Sequence, residues 1–233
     1  MFQRFYTYAP LECEWPWVLR NIKQKPQEHA VHEIVDIGIY DLLHEPYTHT
    51  DNKIEAWKQL KTDGWKVVPD VPDLKGEFNK AIQYDNTEYS WKLLTELYDP
   101  SDEHQIPVIQ SHYADISSLR KYCTDFIREY GTVDKIAVGS VCKMDDSNTT
   151  CTMLKLVKRY FPDTWIHAFG LRFHHLRKSL KYIDSYDSTS WTFPRTGGRP
   201  SCKNKAMRID YFYEYIDVLN SLELQDQTRL KVI

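Results

Sequence analysis

Six segments of the sequence end an apolar run on a polar or flexible residue: Asp36 in IVD, Asp70 in VVPD, Gln110 in VIQSH, Gly139 in AVGS, Gly170 in HAFG, and Asp184 with Asp187 in IDSYDSTSW. A single carboxylate in such a place is commonly a structural hydrogen-bond acceptor. Several brought to one spot raise each other's pKa values and hold mixed protonation states. That mixture suits cleavage of a glycosidic bond, in which one carboxylate attacks or stabilises an oxocarbenium-like carbon while another handles protons on the leaving or incoming group.

These residues can act together only if the fold gathers them. Short β-rich runs predict strands over 4–8, 34–40, 65–69, 106–111, 135–141, 165–171 and 182–188. Between them, apolar positions at helical spacing predict helices over 54–60, 89–97, 116–130 and 153–161, and a last helix over 205–222 aligns Met207, Ile209, Phe212, Ile216 and Leu219. Asp115 and either Asn148 or Thr149 are the expected N-caps, and Gly131 and Pro162 the expected stops. Strands alternating with helices imply a parallel sheet with crossovers. Neither GxGxxG nor GxxxxGK(S/T) occurs, so the glycine-rich turn of an open doubly wound sheet is missing. The expectation is an α/β fold, a compact TIM-like (β/α) barrel with its catalytic groups at the C-terminal ends of the strands. With no eighth strand evident, that barrel would be irregular or closed by other means.

The 233 residues, 42% hydrophobic, suit one domain over 1–233. Cys13, Cys123, Cys142, Cys151 and Cys202 are scattered without a CxxC pair, so reduced thiols, no metal and no cofactor are expected. No apolar stretch approaches a membrane span and the N-terminus lacks the pattern of a signal peptide, which predicts a cytoplasmic protein with no membrane partner. The net charge of -3 conceals a basic block: residues 151–210 hold 12 Lys and Arg against 4 Asp and Glu. Such a block can attract a polyanion locally, or it can be an ordinary solvated face. Its candidate phosphate contacts are Arg172, Arg177 and Lys178 after the sixth predicted strand, near His174 and His175, and Arg195, Arg199 and Lys203 after the seventh. Trp191 and Phe193 either stack against bases or belong to the core.

The order VDIGIYD, VVPD, VIQS, AVGS, AFG, IDSYDS over residues 34–195 resembles the tRNA-guanine transglycosylase superfamily, whose barrel carries DSGGFQ-like, Asp, VQG-like, AVGE-like, LMG-like and FDxV-like segments in that sequence. The resemblance implies that Asp187 is the nucleophile at C1', Asp36 the acid/base for the incoming base, and Asp70 an acceptor for the guanine amino edge. It also implies that Gln110 and the backbone near Gly139 hold the purine carbonyl, that Gly170 belongs to the base pocket, and that Tyr40 or Tyr113 stacks on the purine. The chain departs from the pattern at Ile37, Ile39 and Asp41. The family's CxCxxC zinc segment is replaced by RTGGRPSCKNKAMR. A short, zinc-less chain is most similar to the deazaguanine-DNA transglycosylase branch. The implied reaction is exchange of guanine in DNA for a 7-deazaguanine such as 7-cyano-7-deazaguanine, by a covalent aspartyl-glycosyl intermediate and with the target nucleotide flipped out. RNA is the alternative substrate, accessory proteins are left open, and hydrolysis of the same bond or a non-catalytic nucleic-acid-binding barrel are the rival functions.

Overall fold

The computed structural model describes residues 4–38, 49–73, 85–142, 144–188, 191 and 205–230. Among them, short strands alternate with six α-helices in an α/β fold whose sheets are parallel throughout. Strands β1 (Arg4–Tyr6), β6 (Val108–Ile109), β7 (Lys135–Val138), β8 (Trp165–Ala168) and β9 (Ser185–Asp187) form one sheet, ordered β1-β9-β8-β7-β6. Strands β2 (Trp17–Asn21), β3 (His32–Asp36), β4 (Trp65–Val67) and β5 (Gln105–Ile106) form the other, in sequence order. The helices are α1 (Asp51–Lys58), α2 (Asp85–Leu97), α3 (Ile116–Tyr130), α4 (Ser147–Tyr160), α5 (Phe173–Ser179) and α6 (Lys205–Leu230).

The two sheets meet at two places. Only Pro107 separates β5 from β6, so one extended segment pairs with β4 on one side and β7 on the other. Proline has no N–H to donate, but its carbonyl accepts the Ala137 N–H at 2.9 Å, and this is where the strand expected over 106–111 changes partner. At the other edge, the Thr7 N–H reaches the Trp17 carbonyl at 3.2 Å.

Successive strand residues face opposite ways, and both faces are covered. Ile136 and Val138 of β7, with Ile166 and Ala168 of β8, join the larger apolar cluster, to which the helices contribute Phe126, Met153, Leu154 and Phe212. The alternate residues Tyr6, Ile34, Val67, Val108 and Ala137 form a second cluster with Trp17, Leu19, Trp65, Trp165 and Phe169. In α3, Leu119, Cys123 and Phe126 supply the buried stripe, the Asp115 side chain accepts the Ser117 and Ser118 N–H groups, and Gly131 ends the helix. For α4 the cap is Asp146, whose carboxylate accepts the N–H groups of Asn148 and Thr149, the two residues expected to cap; the helix begins at Ser147, ahead of both the expected caps and the predicted start at 153.

Strand β2 and helix α5 were not expected. Strand β2 holds Arg20, which is 4% exposed and bonds Glu33 of β3 through Nε at 2.8 Å and a second guanidinium nitrogen at 3.1 Å. A charged residue inside a strand hides the strand from a hydrophobicity reading until its partner is known. Helix α5 is short, and its N-cap residue, Arg172, makes no side-chain capping bond, so its start carries no signal. Among the described residues no helix is long and apolar enough to cross a membrane.

Candidate active site

Because the strands run in parallel, the residues closing them lie at one end of the sheets. Asp36 is the last residue of β3 and Asp187 the last of β9, while Asp70, Gln110, Gly139 and Gly170 follow β4, β6, β7 and β8. Asp36 keeps an edge at the solvent while protein atoms surround its carboxyl. Burial pushes its pKa up to about 6 and the charge of Asp187 adds to the rise, while N–H groups of Gly38 and Ile37 and the Lys53 ammonium oppose it. Asp70, 7% exposed, is pushed up to about 8 by burial and by the charge of Asp36, against the opposing hydrogen bond from Gln110. Asp36 is thus an electrostatic neighbour of both Asp187 and Asp70.

Gln110, fully buried, donates its amide N–H to Asp70 Oδ2, and its Oε1 lies 2.6 Å from Ser140 Oγ. Ser140 also accepts the Ser111 N–H at 2.6 Å, which fixes the amide in place. Gly139 is what lets Gln110 lie there, since a Cβ at position 139 would come within 2.1 Å of Gln110 Nε2. The Gly139 N–H itself bonds the Ile109 carbonyl at 3.1 Å, within the sheet, so this amide is already engaged. His49 lies against the Asp70 backbone, its Nε2 3.0 Å from the Asp70 carbonyl.

Asp187 is held by one oxygen. Its Oδ1 accepts the Gly170 N–H at 2.8 Å and lies 3.3 Å from His167 Nε2. Among the described residues Oδ2 has no hydrogen bond. Gly170 reaches this position with φ +60, and a Cβ there would press within 2.5 Å of Cys142 Sγ, so the turn requires glycine. His167 Nδ1 lies 2.7 Å from Ser185 Oγ. Asp184 stands apart, accepting the Ile166 N–H at 2.9 Å, and is structural.

The basic block divides. Arg172 pairs with Asp145 at 2.9 Å, and Lys178 reaches Asn148 Oδ1 at 2.7 Å, so both side chains tie α5 to the start of α4. Arg177 is exposed on α5. His175 is buried, and burial, with the neighbouring His174, pushes its pKa down to about 4, which keeps it neutral. Trp191 is 3% exposed, donates its indole N–H to Thr7 Oγ1 at 3.0 Å and packs on Phe212; it belongs to the core, not to a base-stacking wedge. Tyr113 is half-buried, its N–H bonded to Asp73 Oδ2 at 3.0 Å. Arg195, Arg199, Lys203, Phe193, Tyr40, Ile39, Asp41 and Cys202 lie outside the described residues.

Sequence reading missed His167, Ser140 and His49. Ser140 follows directly on AVG and could have been noted as polar at a strand end, whereas His167 sits within the run WIHAFG, where a lone histidine reads as core. A carboxyl that is mostly ionised at neutral pH beside one that is mostly protonated, with a third held by a single oxygen, is a set able to attack carbon, move a proton and both donate and accept hydrogen bonds. The chain matches no protein-family model and no curated protein.

Proposed function

We propose that the two sheets are arcs of one (β/α) barrel and that the chain is a transglycosylase, exchanging guanine in DNA for a 7-deazaguanine. The observation that carries this reading is the convergence of Asp36, Asp70, Gln110 and Asp187 at one end of parallel strands, with the acidities of Asp36 and Asp70 set apart. The junctions at Pro107 and between Thr7 and Trp17 support the closed arrangement.

In this reaction Asp187 Oδ2 attacks C1' of a flipped nucleotide. The C1'–N9 bond breaks, and guanine leaves with its electron pair and takes a proton from solvent at the mouth. The deazapurine then attacks C1' through N9 and gives its N9 proton to the Asp36 carboxylate, while Asp187 departs as a carboxylate. Gln110, fixed by Ser140, and Asp70 face the polar edge of the base: the amide carries a donor and an acceptor, and a protonated Asp70 can do both. Arg177, Arg172 and Lys178 on the segment after β8, with Arg195, Arg199 and Lys203, supply positive charge for the phosphates.

The test is nucleoside mass spectrometry after incubation with DNA or RNA, each with and without 7-cyano-7-deazaguanine. The expected result is a deazaguanine nucleoside in DNA with release of free guanine, abolished by Asp187→Ala while DNA affinity stays within a few-fold, because a nucleophile acts on the transition state more than on binding. Exchange in RNA alone would move the substrate to RNA. Guanine release beyond one equivalent per enzyme without any added base, with abasic sites left in the polymer, would make the enzyme a glycosylase, and no release from either polymer would overturn the proposal.

A further inference from the structure

Ser185, His167 and Asp187 form a hydrogen-bonded row. Ser185 Oγ lies 2.7 Å from His167 Nδ1, and His167 Nε2 lies 3.3 Å from Asp187 Oδ1. These are the residue types of an acyl-transfer triad, in which the serine faces the substrate and the aspartate is buried behind the histidine. Here the burial is inverted. Ser185 and His167 are fully buried, and the Asp187 side chain, 15% exposed, is the end of the row that reaches the mouth. A serine at the closed end cannot attack a substrate, so the row serves the carboxylate.

We propose that His167 is a positioning residue that fixes one oxygen of Asp187 and thereby aims the other at the reacting carbon. This rests on the transglycosylase reading for its reaction but not for its geometry. The protonation pattern follows from the partners. The Asp187 carboxylate only accepts, so Nε2 carries the proton, and in the neutral ring Nδ1 is left to accept the Ser185 hydroxyl. The ring cannot swing away. Phe169 lies edge-on at 4.8 Å and Tyr6 at 5.6 Å between ring centroids, and Trp165 stacks at 5.9 Å. The Gly170 N–H reaches the same Oδ1 from a backbone that needs glycine, so two rigid donors converge on one oxygen. Placing a nucleophile before reaction removes orientational freedom that would otherwise be lost at the barrier.

Two variants test this: His167→Phe keeps the aromatic packing without the donor, and His167→Gln restores an amide N–H near the position of Nε2. Single-turnover guanine release should fall by about 10- to 100-fold in His167→Phe with KM for DNA unchanged within a few-fold, and His167→Gln should recover most of the rate. Independently of activity, nitrogen NMR of the His167 ring should report the Nε2–H tautomer, and Asp187→Ala should shift the Nε2 signal. Wild-type turnover in His167→Phe, equal losses in both variants, or an Nδ1–H tautomer would each overturn the positioning role. If the wild-type protein releases no guanine, the transglycosylase reading fails while the tautomer still decides the His167–Asp187 bond.

Discussion

Asp36 and Asp70 carry the same functional group at the ends of neighbouring strands, and their surroundings separate them. Asp36 has N–H groups of Ile37 and Gly38 and the Lys53 ammonium to favour its charge, so it titrates at about 6 and is mainly a carboxylate at neutral pH. Asp70 has the Gln110 amide against deeper burial and the charge of Asp36, and titrates at about 8. A general base works in its ionised form, so base exchange should fall as the pH drops through about 6. Asp36→Asn should remove that limb and slow exchange by roughly 10² to 10⁴, the usual worth of a positioned proton acceptor. Attack by Asp187 needs no proton transfer to Asp36, so a DNA–protein adduct should accumulate in this variant and be visible on a denaturing gel. If neither adduct nor guanine release is seen, Asp36 has another role.

Between elements, the Arg20–Glu33 pair joins β2 to β3, the strand whose last residue is Asp36. Arg20 also bonds the Gln24 carbonyl at 3.1 Å, and Thr62 donates to Glu33 Oε2 at 3.0 Å, so the pair ties the loop after β2 and the segment before β4 to the same point. Removing one member of a buried pair leaves the other charge without its partner, which costs more than the pair gained by forming. Arg20→Ala should therefore destabilise the chain by about 3 kcal/mol in denaturant unfolding. A loss below about 1 kcal/mol, the range of a surface pair, would show that the contact does not hold β2 in place.

The whole molecule feels the raised carboxyl groups as a pH-dependent stability. Asp70 keeps its proton to about pH 8 when folded but releases it near 3.8, the ordinary aspartate value, when unfolded, so the native state binds more protons between those values. The associated stability is complete below about pH 4, declines as the pH rises, and is lost above about 8; Asp36 adds a decline that ends near 6. One such proton changes stability by up to about 1.4 kcal/mol per pH unit. Asp70→Asn should thus flatten the fall in unfolding free energy between pH 5 and pH 8. An unchanged slope would show that Asp70 does not hold a proton in the folded chain.

The alternation of strands and helices, the cap at Asp115 and the polar residues at strand ends are local properties, fixed by periodicity and by short-range hydrogen bonds, so the sequence alone determined them; the cap expected at Asn148 or Thr149 lies instead at Asp146. It was equally sufficient to single out Asp36, Asp70, Gln110 and Asp187, because a polar residue ending an apolar run stands out without knowledge of any partner. What it could not determine depends on residues far apart in the chain. Strand β2 becomes legible only when Glu33 neutralises Arg20, and Pro107 divides a strand only because β4 and β7 approach it from opposite sides. Gly139 serves by making room for Gln110, and Gly170 by turning its N–H toward Asp187. His167 gains its meaning from Ser185 and Asp187, two residues of a neighbouring strand. The separation of Asp36 from Asp70 likewise arises from burial and mutual charge, which come into being only when the chain brings distant strand ends to one place.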